Sequence, residues 1–209
     1  MAYPVTFEAD YTARRSRLTT FFRLILLLPA AIVLYVFGII ASIAIVIAWF
    51  AIVITGRYPK GLFGFVSGFN RSLARVTAYG LLLAEPYPPF GGAHAPGYPV
   101  RMEFAGPLER YSRPKTLFRL ILAIPIVILR YAINLLLEIG AIGAWFVIVI
   151  TGKLPRGLFD VMVLANSYTA RSDAYLFLLT ETYPPFQDEH TRSAGRAGPP
   201  PAEQPATPE

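Results

Sequence analysis

From Leu24 to Ile54 the chain runs for 31 residues without a charged side chain. As a helix that run would extend about 46 Å, against roughly 30 Å of bilayer hydrocarbon. It is far too long for a signal-peptide core and no cleavage-site pattern follows it, so it reads as mature membrane structure. The remaining composition agrees: 55% of residues are apolar and 15% charged, where soluble domains carry about 25% charge. The absence of cysteine excludes disulfides, thiolate metal sites and cysteine nucleophiles. A net charge of +6 points to anionic lipid as the electrostatic partner.

The chain repeats itself. Phe22-Arg23-Leu24-Ile25-Leu26 recurs 96 residues later as Phe118-Arg119-Leu120-Ile121-Leu122. The same spacing carries Pro29 to Pro125, Trp49-Phe50 to Trp145-Phe146, and Ile52-Val53-Ile54-Thr55-Gly56 to Ile148-Val149-Ile150-Thr151-Gly152. Tyr87-Pro88-Pro89-Phe90 returns as Tyr183-Pro184-Pro185-Phe186, and Tyr3-Pro4-Val5 as Tyr98-Pro99-Val100 with one residue of offset. We read a tandem duplication: a first membrane repeat over 1–90, a short flexible linker over 91–97, a second repeat over 98–186, and a Pro-rich tail over 187–209. The tail lacks the apolar surface to order itself and is expected to be disordered.

Each copy has one grammar: a short extended stretch (Tyr3 to Phe7, Tyr98 to Phe104), a basic cluster, an apolar block, a Thr-Gly-basic turn and an amphipathic helix. The fold class is therefore all-α and integral to the membrane. Two topologies fit the apolar block: a helical hairpin of two short spans, or one long span kinked at Pro29. Gly38 and Asn134 sit at the block midpoints and suit a tight reversal; Tyr35 and Tyr131 flank them, as an aromatic belt would. Basic residues stand at both ends of the block, which under the positive-inside rule favours the hairpin. On that reading both termini are cytosolic and the chain is a multi-pass protein of the cytoplasmic membrane. Arg23 and Arg119 would then snorkel to the interface.

Arg130, Asn134 and Glu138 are spaced by four and share one helical face. In a continuous span they form a candidate polar membrane cluster, the mark of a small transporter or channel. Copy one has Leu34, Gly38 and Ser42 there, so no shared pathway is written into both copies. An interfacial turn accounts for the trio in both.

From Lys60 to Ala84 apolar residues recur every three or four, with Asn70, Arg71 and Arg75 between them, and Pro59 and Pro155 suit a first helical turn. Such a helix either lies in the headgroup boundary or packs across the inner ends of the apolar block. Arg57, Lys60, Arg71, Arg75, Lys153, Arg156 and Arg171 are the candidate lipid-interface residues. Glu85 and Glu181, like Glu8 and Glu103, recur between copies and are expected to tether the basic clusters.

Signals for chemistry are scarce. His94 and His190 lie in the linker and the tail, and no phosphate loop, metal spacing or nucleophile elbow is present. The sequence predicts no enzyme, cofactor or metal, and, with no duplex-reading motif, no nucleic acid partner. Small residues such as Ala41, Ser42, Gly140 and Gly143 suit close helix packing. They make a membrane-protein partner or a second copy the expected macromolecular contact.

Thr19-Thr20-Phe21-Phe22-Arg23-Leu24-Ile25-Leu26, Thr55-Gly56-Arg57-Tyr58-Pro59-Lys60-Gly61-Leu62-Phe63 and Tyr87-Pro88-Pro89-Phe90 resemble the bacterial, actinobacterial-type membrane family catalogued as domain of unknown function 4389, in two tandem copies. The second copy is looser, with Leu154 in place of Tyr58 and Arg130, Asn134 and Glu138 in its core. The resemblance implies an integral membrane protein and carries over no catalytic residue. A non-enzymatic scaffold or accessory subunit is the leading expectation, and a small transporter or channel the alternative.

Overall fold

The computed structural model describes residues 3–185. The tail from 187, His190 and the phenylalanine that closes the second Tyr-Pro-Pro-Phe lie outside them. In chain order the elements are β1 (Val5–Ala9), α1 (Arg17–Phe21), α2 (Arg23–Thr55), α3 (Lys60–Gly80), β2 (Val100–Phe104), α4 (Arg113–Leu117), α5 (Arg119–Thr151) and α6 (Arg156–Leu176). The two copies carry the same elements at the same lengths.

Each apolar block is a single helix of 33 residues. The hairpin expected at Gly38 and Asn134 is not formed, and each helix runs unbroken through Pro29 or Pro125. The reason is local. An uncharged run rich in Leu, Ile and Ala has no residue that competes with the helix, and one glycine costs only about 1 kcal/mol. Pro29 and Pro125 lie inside the helices, each removing a single backbone hydrogen bond that the flanking turns tolerate. Gly38 instead makes room for a neighbour, since the ring of Phe69 lies 3.5 Å from where a Cβ would stand.

The reversal comes 18 residues later, at Gly56. It has φ +73°, and Gly152 has φ +70°, the left-handed state that ends a helix cheaply only at glycine. Thr55 and Thr151 then turn their hydroxyls onto the carbonyls of Ala51 and Val147, at 2.6 Å each. After Pro59 and Pro155, α3 and α6 return antiparallel along α2 and α5. Phe65 and Phe69 stack edge-on against Phe37, and Gly80 lies beside Leu27.

The all-α expectation needs a second correction. The two extended stretches pair with each other as an antiparallel two-stranded sheet, with Phe7 opposite Met102 and Glu8 opposite Arg101. Alternation sends Val5, Phe7, Val100 and Met102 inward, all buried, and leaves Glu8 and Glu103 exposed. Isolated five-residue strands are marginal in water, so the sheet depends on α3 and α6 beneath it.

The copies interlock as an approximate two-fold pair. Arg15 N–H donates to the Gly152 carbonyl at 2.9 Å and, reciprocally, Tyr111 N–H to the Gly56 carbonyl at 2.8 Å. The indole of Trp49 donates to the Thr116 carbonyl at 2.9 Å, and that of Trp145 to the Thr20 carbonyl at 3.1 Å. The start of each copy therefore sits against the end of the other copy's long helix. The linker is seated as well: a Cβ at Gly92 would overlap the backbone of Gly68, so the two segments meet there only as glycine against glycine.

Three layers result. Phe65, Phe69 and Gly80 face α2, whereas Arg71, on the opposite side of α3, reaches the sheet. The order is thus α2 and α5, then α3 and α6, then β1 and β2.

Candidate functional site: buried arginines and an apolar outer face

Arg23 opens α2 and Arg119 opens α5, and neither snorkels. They are 2% and 4% exposed. Each guanidinium lies over a tyrosine, Arg23 at 4.0 Å from the centre of the Tyr79 ring and Arg119 at 3.6 Å from that of Tyr175. The seat is made by the end of the returning helix. Leu82 and Leu178, at φ of 63° and 64°, turn the chain so that carbonyls point back at the arginine. Arg23 donates to the Ala84 carbonyl at 3.0 Å, Arg15 to the Leu83 carbonyl at 3.0 Å, and Arg119 to the Thr180 carbonyl. A weakly hydrated, planar cation suits this combination of ring and carbonyl, and lysine does not.

Glu85 completes the first seat. Its carboxylate lies 3.7 Å from Arg15 and 3.6 Å from Arg23, and accepts from Ser16 N–H at 3.0 Å and the Thr19 hydroxyl at 3.2 Å. Glu181 accepts from Ser112 N–H at 2.6 Å. Glu85 thus tethers the basic cluster as expected. Glu8 and Glu103 act elsewhere. Glu8 bonds Arg101 across the strands at 3.3 Å, beside Asp10 at 2.7 Å, and these hydrogen bonds, Asp10 first, hold the Arg101 guanidinium above its usual range. Glu103 lies 3.7 Å from Arg71 and 2.8 Å from His94.

The predicted polar trio divides. Arg130 pairs with Asp173 of α6 at 2.7 Å, and Asn134 accepts from the Thr169 hydroxyl at 3.3 Å. Glu138 is exposed and lines an apolar groove with Ser42, Tyr35 and Phe69. Ser42 and Glu138 are equivalent positions of the two copies, so this groove brings the middles of α2 and α5 to the approximate two-fold axis. From sequence Asp173 reads, with Asp160, as an acid that copy two adds to its amphipathic helix and that weakens its pull on lipid; the pairing with Arg130 was missed. Its signal was available, because Thr77 stands at that position in copy one, opposite Leu34 where copy two has Arg130.

Of the candidate interface residues, Arg57, Lys60, Lys153 and Arg156 are exposed. The other three are corrected by their surroundings. Arg71 donates to the Met102 carbonyl at 3.1 Å and stacks 5.2 Å from the Phe104 ring. Arg75 and Arg171 are 3% and 1% exposed, and Arg171 donates to the Ser167 hydroxyl at 3.1 Å. All three lie on the side of α3 or α6 turned away from the long helices, which the hydrophobic spacing alone could not assign.

Apart from Ser42, Glu138 and the terminal Thr55 and Thr151, what remains exposed on α2 and α5 is apolar or proline and glycine. The inward stripe of α2 includes Ala30, Ala41, Ala44, Ala48 and Ile52, all buried. Leu24, Leu28, Ile32, Ile39, Ile43 and Ile54 stand out on the other faces. Within the most apolar windows only 17% of α2 and 22% of α5 is buried, and both helices are long and apolar enough to cross a membrane. A core helix of a soluble protein would be mostly buried. Among the described residues no group of three metal-ligating side chains comes together.

The arrangement defines a tandem-repeat helical protein in which two returning helices and a small sheet back a pair of long apolar helices. The chain belongs to the family described as Domain of unknown function (DUF4389), whose model matches residues 17–91 and 113–187. Both strands lie outside the matched segments. No curated protein and no solved structure matches the chain.

Proposed function

We propose that the protein is integral to the cytoplasmic membrane and serves there as a non-enzymatic scaffold or accessory subunit. One observation carries the reading: α2 and α5 expose most of their large apolar side chains along some 50 Å of helix. A face of that extent far exceeds the few hundred Å² that soluble monomers leave uncovered. Its natural surroundings are lipid, with anionic headgroups near Arg57, Lys60, Lys153 and Arg156. The buried polar groups support the structural half of the proposal. Arg23, Arg119 and Arg130 are engaged by rings, carbonyls and carboxylates of the same chain, which supports a structural role for them.

The transporter alternative gains nothing from this geometry, because two members of the trio are taken up by α6. Tagged protein isolated in a mild detergent is expected to bring down a membrane protein in fixed stoichiometry. Isolation of the chain alone from native membranes, in detergents that preserve other complexes, contradicts the accessory role.

A further inference from the structure

The long helices can meet lipid in two ways, with the approximate two-fold axis either in the plane of the membrane or along its normal. In the first case α2 and α5 cross the bilayer in opposite directions. In the second they lie within one leaflet, their outer faces in the acyl region. We propose the second: the protein is seated on one face of the bilayer, with the sheet in water. The proposal rests on the membrane reading above and fixes how the membrane is engaged.

The level of the sheet decides against crossing. Arg71 lies midway along α3 and reaches Met102 and Glu103 of β2. The same stretch of α3 packs Phe65 and Phe69 on Phe37, next to the midpoint of α2. An upright α2 would therefore carry the sheet to the depth of the bilayer centre. There Glu8, Asp10, Arg101 and Glu103 would face hydrocarbon, where a charged group is costly. Among the described residues the sheet has two strands, so both of its edges would leave backbone groups without partners, an arrangement that lipid does not tolerate. With the axis along the normal, the same groups point into water.

Charge gives an independent argument. Arg14 pairs in a bridge with Lys153, and Arg17 lies beside Gly152. With Arg156, these four exposed cations mark the amino-terminal end of α2. At its carboxyl-terminal end Arg57 and Lys60 stand with Arg110 and Arg113, which flank Gly56. The two clusters are separated by the length of α2, about 50 Å. Spanning proteins concentrate their cations on the cytosolic side, whereas here both ends are equally basic. A helix lying along an anionic leaflet places both clusters against headgroups, where each cation is attracted.

Because the chain has no cysteine, single thiols report each end cleanly. Full-length Arg57→Cys and Lys153→Cys, produced in cells, are treated with an impermeant maleimide before and after the cells are opened. The proposal predicts that both ends react in the same compartment, neither in intact cells and both after opening. Reaction of one and not the other in intact cells places the ends on opposite faces and overturns it, leaving membrane integration intact. Recovery of the unlabelled chain in the soluble fraction, or as a homodimer released by alkaline carbonate, overturns the membrane reading itself.

Discussion

Replacing Arg130 alone by leucine is expected to lower the thermal midpoint of the detergent-solubilised protein by on the order of 6–12 °C, and Asp173→Thr alone to do the same. Each single change leaves one charge of a largely buried pair without its partner, and the uncompensated charge costs about 3 kcal/mol. In a protein of this size each kcal/mol moves the midpoint by about 2–4 °C. The double variant Arg130→Leu, Asp173→Thr installs the pair that copy one carries at the equivalent places, Leu34 and Thr77. It is expected to fall within about 3 °C of the parent, since an ion pair replaced whole by packed groups is often neutral. A double variant as unstable as either single one would show that the site depends on charge for something other than pairing.

The second large effect concerns the arginine that opens α2. Arg23→Leu removes the guanidinium from the face of Tyr79, deprives the Ala84 carbonyl of its donor and leaves Glu85 with Arg15 as its one remaining cation. The expected loss is about 3–5 kcal/mol, read as a fall in thermal midpoint. Arg23→Lys keeps the charge but lacks the planar fork and is expected to recover less than half of that loss. Full recovery with lysine would mean that charge alone, and not the stacked geometry, holds the corner. Arg119 over Tyr175 predicts the same pattern in copy two.

Much of this was legible in the residues. The duplication, the two long uncharged runs, the helix stop at Gly56 and a second helix opening after Pro59 follow from spacing and from the few residue types that end or begin a helix; that this second helix returns along α2, rather than lying in the headgroup boundary or across the ends of the block, does not. The hairpin is absent, although cations at both ends of an apolar run suggest one face and therefore a reversal between them. A helix lying along the membrane satisfies the same charges without turning back. The seats of Arg23 and Arg119 were hidden for another reason. A lone arginine at the head of an apolar block looks identical whether it snorkels or stacks, and the ring that decides lies more than 50 residues away. The sheet was hidden because its partner strands come from different copies, and strand pairing over such a separation leaves no local trace. Arg71, Arg75 and Arg171 looked like a lipid-facing stripe because an amphipathic pattern reports that a helix has two faces without saying which of them meets lipid.

The central claim is that the outer faces of α2 and α5 are solvated by acyl chains. Washing native membranes with alkaline carbonate, which strips proteins held by charge, tests it most directly. The account predicts that the chain stays in the membrane pellet and leaves it only with detergent. Release into the carbonate supernatant would contradict it, because a face held by lipid cannot be washed free by breaking ionic contacts.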